Sequence, residues 1–208
     1  MVLLLLLLSA LDLRAALAQF SDGDDAGWSR YAARDGVTLE RRSVAGSKFL
    51  EHRAISDVAI DPTRAADEIW AALRQGDMDS LKHRDLLAAG NDELVIYDQI
   101  RTPVVSDRDY TITVRRVTDR GRGRTQFRCV TSNERGPPPA RGYVRIPIIA
   151  AGWQTEPDGH GGTRLSYWAF SEPGGSVPAF LVRSAQADRS LADMVRMVAR
   201  LRAAASRR

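Results

Sequence analysis

Two stretches, Thr102-Pro-Val-Val-Ser-Asp-Arg-Asp-Tyr110 and Ser171-Glu-Pro-Gly-Gly-Ser-Val-Pro178, decide how this chain folds. The first leads from a loop into an alternating run, Tyr110 to Thr118, and the second into a run with a different period. From Pro178 to about Ala204, Leu181, Ala185, Leu191, Met194, Val195, Val198 and Leu201 recur mostly at three- and four-residue steps, which predicts one long helix. At 1.5 Å per residue it spans roughly 40 Å, enough to cross a whole sheet. Upstream, Val37 to Val44 and Phe49 to Ile60 alternate about Ala45-Gly-Ser47, which predicts a hairpin with Leu50, Ala54, Val58 and Ile60 on one face. Asp61-Pro62 predicts a helix start and Gly76 its end, with Ala65, Ile69, Ala72 and Leu73 as the apolar stripe beside Trp70. Strand patterns follow at Ser80 to Ala88, Glu93 to Arg101, Tyr110 to Thr118, Thr125 to Ser132, Gly142 to Thr155 and Thr163 to Ser171, separated by Gly-, Asn- and Asp-bearing turns. Trp28 to Ala33 reads as a short amphipathic helix. This order of elements predicts an α+β plan in which a helix lies against a strongly curved antiparallel sheet.

The 208 residues, 44% hydrophobic and 27% charged, suit one globular domain with a sizeable core. The formal charge is +4, but Lys48 and Lys82 are the only lysines; an arginine-rich coding bias accounts for the rest. The densest basic run, Arg120-Gly-Arg-Gly-Arg124, falls in a hairpin turn without interleaved aromatics, so nucleic-acid binding is not expected. Residues 1–18 read as a secretory signal, with an apolar run from Val2 to Leu8 and an A-x-A pattern at Ala16-Leu17-Ala18. A positive n-region is lacking, and Asp12 and Arg14 intrude. Export to the periplasm or medium is the expectation, with an N-terminal membrane anchor as the alternative. Residues 19–27 read as a disordered acidic leader, leaving 28–204 as the folded domain, expected to be a monomer. Cys129 is the only cysteine, so no intramolecular disulfide forms; it reads as a small buried side chain.

Three words in order carry a resemblance. Pro103-Val-Val-Ser-Asp-Arg-Asp-Tyr110 resembles a P-x-x-x-x-R-D-[FY] element, and Gly142-Tyr-Val-Arg145 with Gly152-Trp-Gln-Thr155 resembles a V-R…G-W segment. Glu172-Pro-Gly-Gly-Ser-Val-Pro178 resembles a D-P-x-G-x-[IV]-P turn, with Glu172 in place of the usual Asp. Together they resemble the START (StAR-related lipid-transfer) domain family of the helix-grip, Bet v 1-like superfamily. That resemblance implies a helix-grip fold, a curved antiparallel sheet around a hydrophobic tunnel closed by the C-terminal helix. It also implies one lipid or other hydrophobic small molecule as ligand, without a cofactor or metal, and an architectural role for Arg108 and Asp109. The 102–107 loop would serve as a lid, with Val104 and Val105 capping ligand or touching a membrane transiently.

The expected tunnel lining is Ile96, Ile100, Tyr110, Ile112 and Val114 from two strands, with Leu181 and Ala185 from the long helix. Asp98 shares the face of Ile96 and Ile100, where a carboxylate costs free energy unless paired. It is either a head-group contact with an arginine partner in the cavity or a residue turned to solvent. His52 lies on the apolar face of its strand and reads first as a hydrogen-bonded core residue. The alternative function is a cyclase- or hydrolase-like enzyme of the same shape, with Asp98 and His52 or His83 as acid and base within hydrogen-bond reach. The arginines of the last helical turns, Arg196, Arg200, Arg202, Arg207 and Arg208, would either meet anionic lipid or form a solvated face.

Overall fold

A computed structural model describes residues 27–102 and 105–207. The segments read as signal and leader, but for Gly27, lie outside the described residues, as do Pro103 and Val104. The elements are β1 (Ser29–Arg34), β2 (Val37–Ser43), β3 (Leu50–Val58), α1 (Pro62–Gln75), β4 (Leu81–Ala89), β5 (Glu93–Ile100) and β6 (Arg108–Asp119). After these come β7 (Arg124–Thr131), a 3₁₀ turn (Asn133–Arg135), β8 (Val144–Arg145), β9 (Ile148–Pro157), β10 (Thr163–Glu172) and α2 (Ala179–Ser206). Nine strands form one path, β1-β2-β3-β10-β9-β7-β6-β5-β4, and β8 pairs with β6 off that path in parallel. The β3–β10 pairing joins the N-terminal hairpins to the end of the chain, from Thr163 opposite Val58 to Ala169 opposite His52.

Local chemistry explains the first helix. Asp61 Oδ1 accepts from the backbone N–H of Thr63 and Arg64, both at 3.0 Å, and the helix ends at Gly76. Ala65, Ala66, Ile69, Trp70 and Ala72 are buried on the concave face of the sheet, with Trp70 stacked on Phe127 at 5.9 Å. Helix α2 buries Ala187, Ser190, Leu191, Met194, Met197, Val198, Leu201 and Ala204 at three- and four-residue steps, packing on β3, β2 and α1. Its N-cap is Pro178, which makes no side-chain cap hydrogen bond.

Two expectations need correction. Residues 29–34 form an edge strand rather than a helix, because Asp35-Gly36 is a two-residue hairpin turn with φ of 54° and 83°. Gly142 to Thr155 is not one strand. It breaks at Pro147, where β8 leaves β6 and β9 crosses to pair with β7 and β10. Of the arginines expected either to meet anionic lipid or to form a solvated face, three make ion pairs within the fold, Arg202 donates to the Asp35 carbonyl, and Arg208 lies outside the described residues. Arg200 and Arg207 reach Glu68 of α1, each at 3.2 Å, and Arg196 pairs with Asp79 and with Asp193.

Arg108 and Asp109 are architectural, and each works on its own side of β6. Both are buried. Arg108 donates to the carbonyls of Ser106, Pro173 and Gly174, tying the 102–107 loop to the turn before α2. Gly174 sits at φ +68°, and a Cβ there would lie 2.6 Å from the Arg145 carbonyl oxygen. On the other face, Asp109 accepts from Arg145 Nε and Nη2 at 2.9 Å, from Tyr97 Oη at 3.1 Å and from Ala140 N at 2.8 Å. Burial would raise the Asp109 pKa, but these donors outweigh it and hold the carboxyl below its usual value. Asp109→Ala strands Arg145 beside a desolvated hole and is expected to cost about 3–5 kcal/mol in urea unfolding. Arg164→Ala, which removes an exposed pair with Asp57, is expected to cost about 1 kcal/mol or less.

Candidate functional site

The site grows from strand alternation. Residues directly opposite one another on antiparallel strands share a face. Leu94, Val114, Cys129, Ala151, Ala169 and His52 therefore form one continuous row across six strands of the concave side. The next row holds Phe127, Trp153, Tyr167, Ala54 and Leu39, with Trp153 and Tyr167 in ring contact at 4.4 Å.

Burial along this face is uneven. Leu39, Ala54, Phe127 and Leu165 are fully covered. At the other end Leu50, Ile149, Ala151, Tyr167 and Ala169 are only half-buried although they face the same way. Over that open end lie the first turns of α2, held by polar tethers. Arg183 donates to the Lys48 carbonyl at 2.8 and 2.6 Å, and Gln186 Nε2 donates to Ser171 O at 3.0 Å and to its Oγ at 2.9 Å. Phe180 projects at the rim, 71% exposed.

Asp98 is wholly buried and paired with an arginine rather than turned to solvent. Arg84 clamps it with Nε to Oδ1 at 2.6 Å and Nη2 to Oδ2 at 2.5 Å, while Nη1 donates to Leu73 O at 2.6 Å. Burial alone would lower the Arg84 pKa, but Asp98 reverses that and keeps the guanidinium charged. Tyr110, opposite Asp98 on β6, is held protonated by burial and then by the Asp98 charge. Ile96, Ile100, Ile112 and Val114 are buried on this face.

Leu181 and Ala185 are placed otherwise. Leu181 is 44% exposed and Ala185 is exposed as well, so neither faces the interior here. The six residues from Ala185 to Leu191 turn the helix by about 600°, so the two cannot share a stripe. Phe180 and Arg183 continue the helical phase of the buried stripe, but both are exposed. Val105 is half-buried, and the lid residue Val104 lies outside the described residues. The base of that loop is held by Asp107, which accepts from Lys82 Nζ at 2.7 Å and Thr102 N at 3.1 Å.

The acid–base couple weighed from the sequence is not assembled. Both Asp98 oxygens are taken by Arg84, and four strands lie between β3, which carries His52, and β5. His83 is exposed on the edge strand beside Asp85 at 3.0 Å. Cys129 is buried, with its thiol pushed up to about 12 by desolvation.

Sequence reasoning did not pick out Arg84, Gln186 or Arg183, because their partners are distant in the chain. It also took His52 for a hydrogen-bonded core residue. His52 is 2% exposed on the concave face, and its Nε2 has no hydrogen-bond partner. Burial, with Arg41 opposite, lowers its pKa from 6.5 to about 4. The native state then binds fewer protons than the unfolded chain between those values, so stability falls as pH drops through this window. The full loss is about 3 kcal/mol. His52→Leu is expected to flatten the stability profile from pH 6.5 toward pH 4 in urea titrations; an unchanged slope would place the titrating group elsewhere.

Comparison with known proteins follows this geometry. The START domain model matches residues 15–207. The chain is 29% identical over 171 residues to the uncharacterized protein PA1579 of Pseudomonas aeruginosa, covering 79% of this chain and 81% of that one. A StAR-related lipid transfer protein from Xanthomonas axonopodis superposes with a TM-score of 0.74 at 24% identity, over 85% of this chain and 99% of that one. Human StAR-related lipid transfer protein 5 superposes with a TM-score of 0.75 at 20% identity, over 95% and 96% of the two chains. The sheet, the long closing helix and the match over nearly the whole chain agree: this protein belongs to the START domain family.

Proposed function

We propose that the protein binds one lipid or other hydrophobic small molecule between the concave face and α2. The single observation that carries this is the burial gradient. One end of an apolar face is sealed by α1 and by the C-terminal half of α2, while apolar side chains at the other end stay half-open beneath α2's first turns. Apolar surface kept partly accessible on a concave face suits a guest whose burial stabilises the complex by about 25 cal/mol per Å². The names of the solved relatives, lipid transfer proteins, point the same way. Export of the protein belongs to the same proposal and rests on residues 1–18.

In this reading the first turns of α2 and the 102–107 loop act as the gate. What supports it is the kind of contact there: tethers to Lys48 and Ser171 in place of the apolar stripe that fixes the second half of the helix. Solvent extraction of the purified protein is expected to release a lipid in near one-to-one amount by mass spectrometry; a clean extract, together with no uptake from vesicles, would refute the binding role. For the gate, Arg183→Ala/Gln186→Ala is expected to speed lipid exchange with vesicles several-fold while leaving the melting temperature nearly unchanged. Unaltered exchange would move the gate to another element.

A further inference from the structure

His52 is the one side chain of the concave row that is both polar and unpaired. It lies opposite Ala169, which lies opposite Ala151, and both alanines are half-buried. Two methyl side chains in series put little bulk beside the imidazole. An unsatisfied buried polar nitrogen costs about 1–3 kcal/mol. His52 Nε2 is in that condition, in a row whose other members, from Leu94 to Ala169, are apolar or a thiol. Of the other charges on this side, Arg84 pairs with Asp98 and Arg189 with Asp193 on α2, while Arg41, opposite His52 on β2, is exposed.

We propose that His52 is the polar anchor for the bound molecule and selects an uncharged ligand carrying a hydroxyl group. This rests on the hydrophobic-ligand reading above. A neutral imidazole offers one ring N–H and one lone pair, and a hydroxyl both donates and accepts, so the match holds for either tautomer. Its depressed pKa keeps the ring neutral at ordinary pH. An ammonium at the same place would be a desolvated charge facing the Arg41 guanidinium, and a carboxylate would have to give up its hydration for a partner, Arg41, that stays in water. A bare hydrocarbon would fill the space but leave Nε2 unpaired.

The test uses Nile red displacement from the purified protein by dodecan-1-ol, dodecane and dodecanoate, with cholesterol against cholestane as a ring-shaped pair. The wild type is expected to bind the alcohol about tenfold more tightly than the hydrocarbon or the carboxylate of the same skeleton, the yield of one buried hydrogen bond. Whichever skeleton shows this ratio identifies the carbon frame, and either supports the proposal. In His52→Leu the ratio should fall to near unity with Nile red affinity retained, and in His52→Gln most of it should return. His52→Phe supplies the apolar arm if His52→Leu does not fold. An alcohol preference that persists in the apolar variant, or a wild-type preference for dodecanoate, overturns the anchor role while leaving the hydrophobic-ligand reading intact. Failure of the wild type to bind Nile red or any displacer overturns both.

Discussion

A sheet this strongly curved has a concave side that something must fill, and the two helices among the described residues cover it unevenly. Helix α1 has 14 residues and covers one end beneath Trp70. Helix α2 has 28, but its buried stripe begins only at Ala187. The consequence is visible residue by residue along single strands. On β10, Leu165 is sealed while Tyr167 and Ala169 are not; on β9, Trp153 is buried and Ile149 and Ala151 are half-open. Apolar area withdrawn from water drives folding at one end, and apolar area left partly in reach is what remains for a ligand at the other.

The same division separates rigid from movable parts. The second half of α2 is fixed twice, by Met194, Val198 and Leu201 in the core and by Arg200 and Arg207 on Glu68. Its first half is fixed by side-chain-to-carbonyl hydrogen bonds, each worth about 1 kcal/mol net. Arg108 ties the two regions together, since one guanidinium holds the carbonyls of Ser106 and of Pro173 and Gly174 in the turn before the helix, on a strand whose other face is fixed through Asp109.

What could be read from the sequence follows from how local each determinant is. The Asp61 cap, the Gly76 stop and the face of Tyr110, Ile112 and Val114 depend on neighbours in the chain and were legible. Residues 29–34 were misjudged because Arg-Tyr-Ala-Ala fits either period; the deciding Asp35-Gly36 turn lay just beyond and was passed over. Pro147, which splits the expected Gly142–Thr155 strand, was equally visible in the sequence and was passed over as well. The helical period misplaces Leu181 and Ala185, because the six-residue gap from Ala185 to Leu191 breaks the phase of the stripe. Arg84 as the partner of Asp98 was beyond reach, because only the β4–β5 register, with its irregularities, brings the two opposite each other.

Two of the polar features of the concave side then divide the work between them. The Arg84–Asp98 pair is complete: bidentate, wholly buried on the acid side, with the spare guanidinium nitrogen on Leu73 O. A pair so closed gains little from a guest, because any new hydrogen bond to it competes with one already short and charge-assisted. It works as a neutral brace between edge strand and helix. His52 is the reverse case, a buried ring whose Nε2 has no partner, beside alanines of little bulk. Discrimination among ligands is strongest where a binding site would otherwise be left unpaired. By that argument selectivity in this fold belongs at His52, on the β3 side of the hollow, and the ion pair across the sheet belongs to stability.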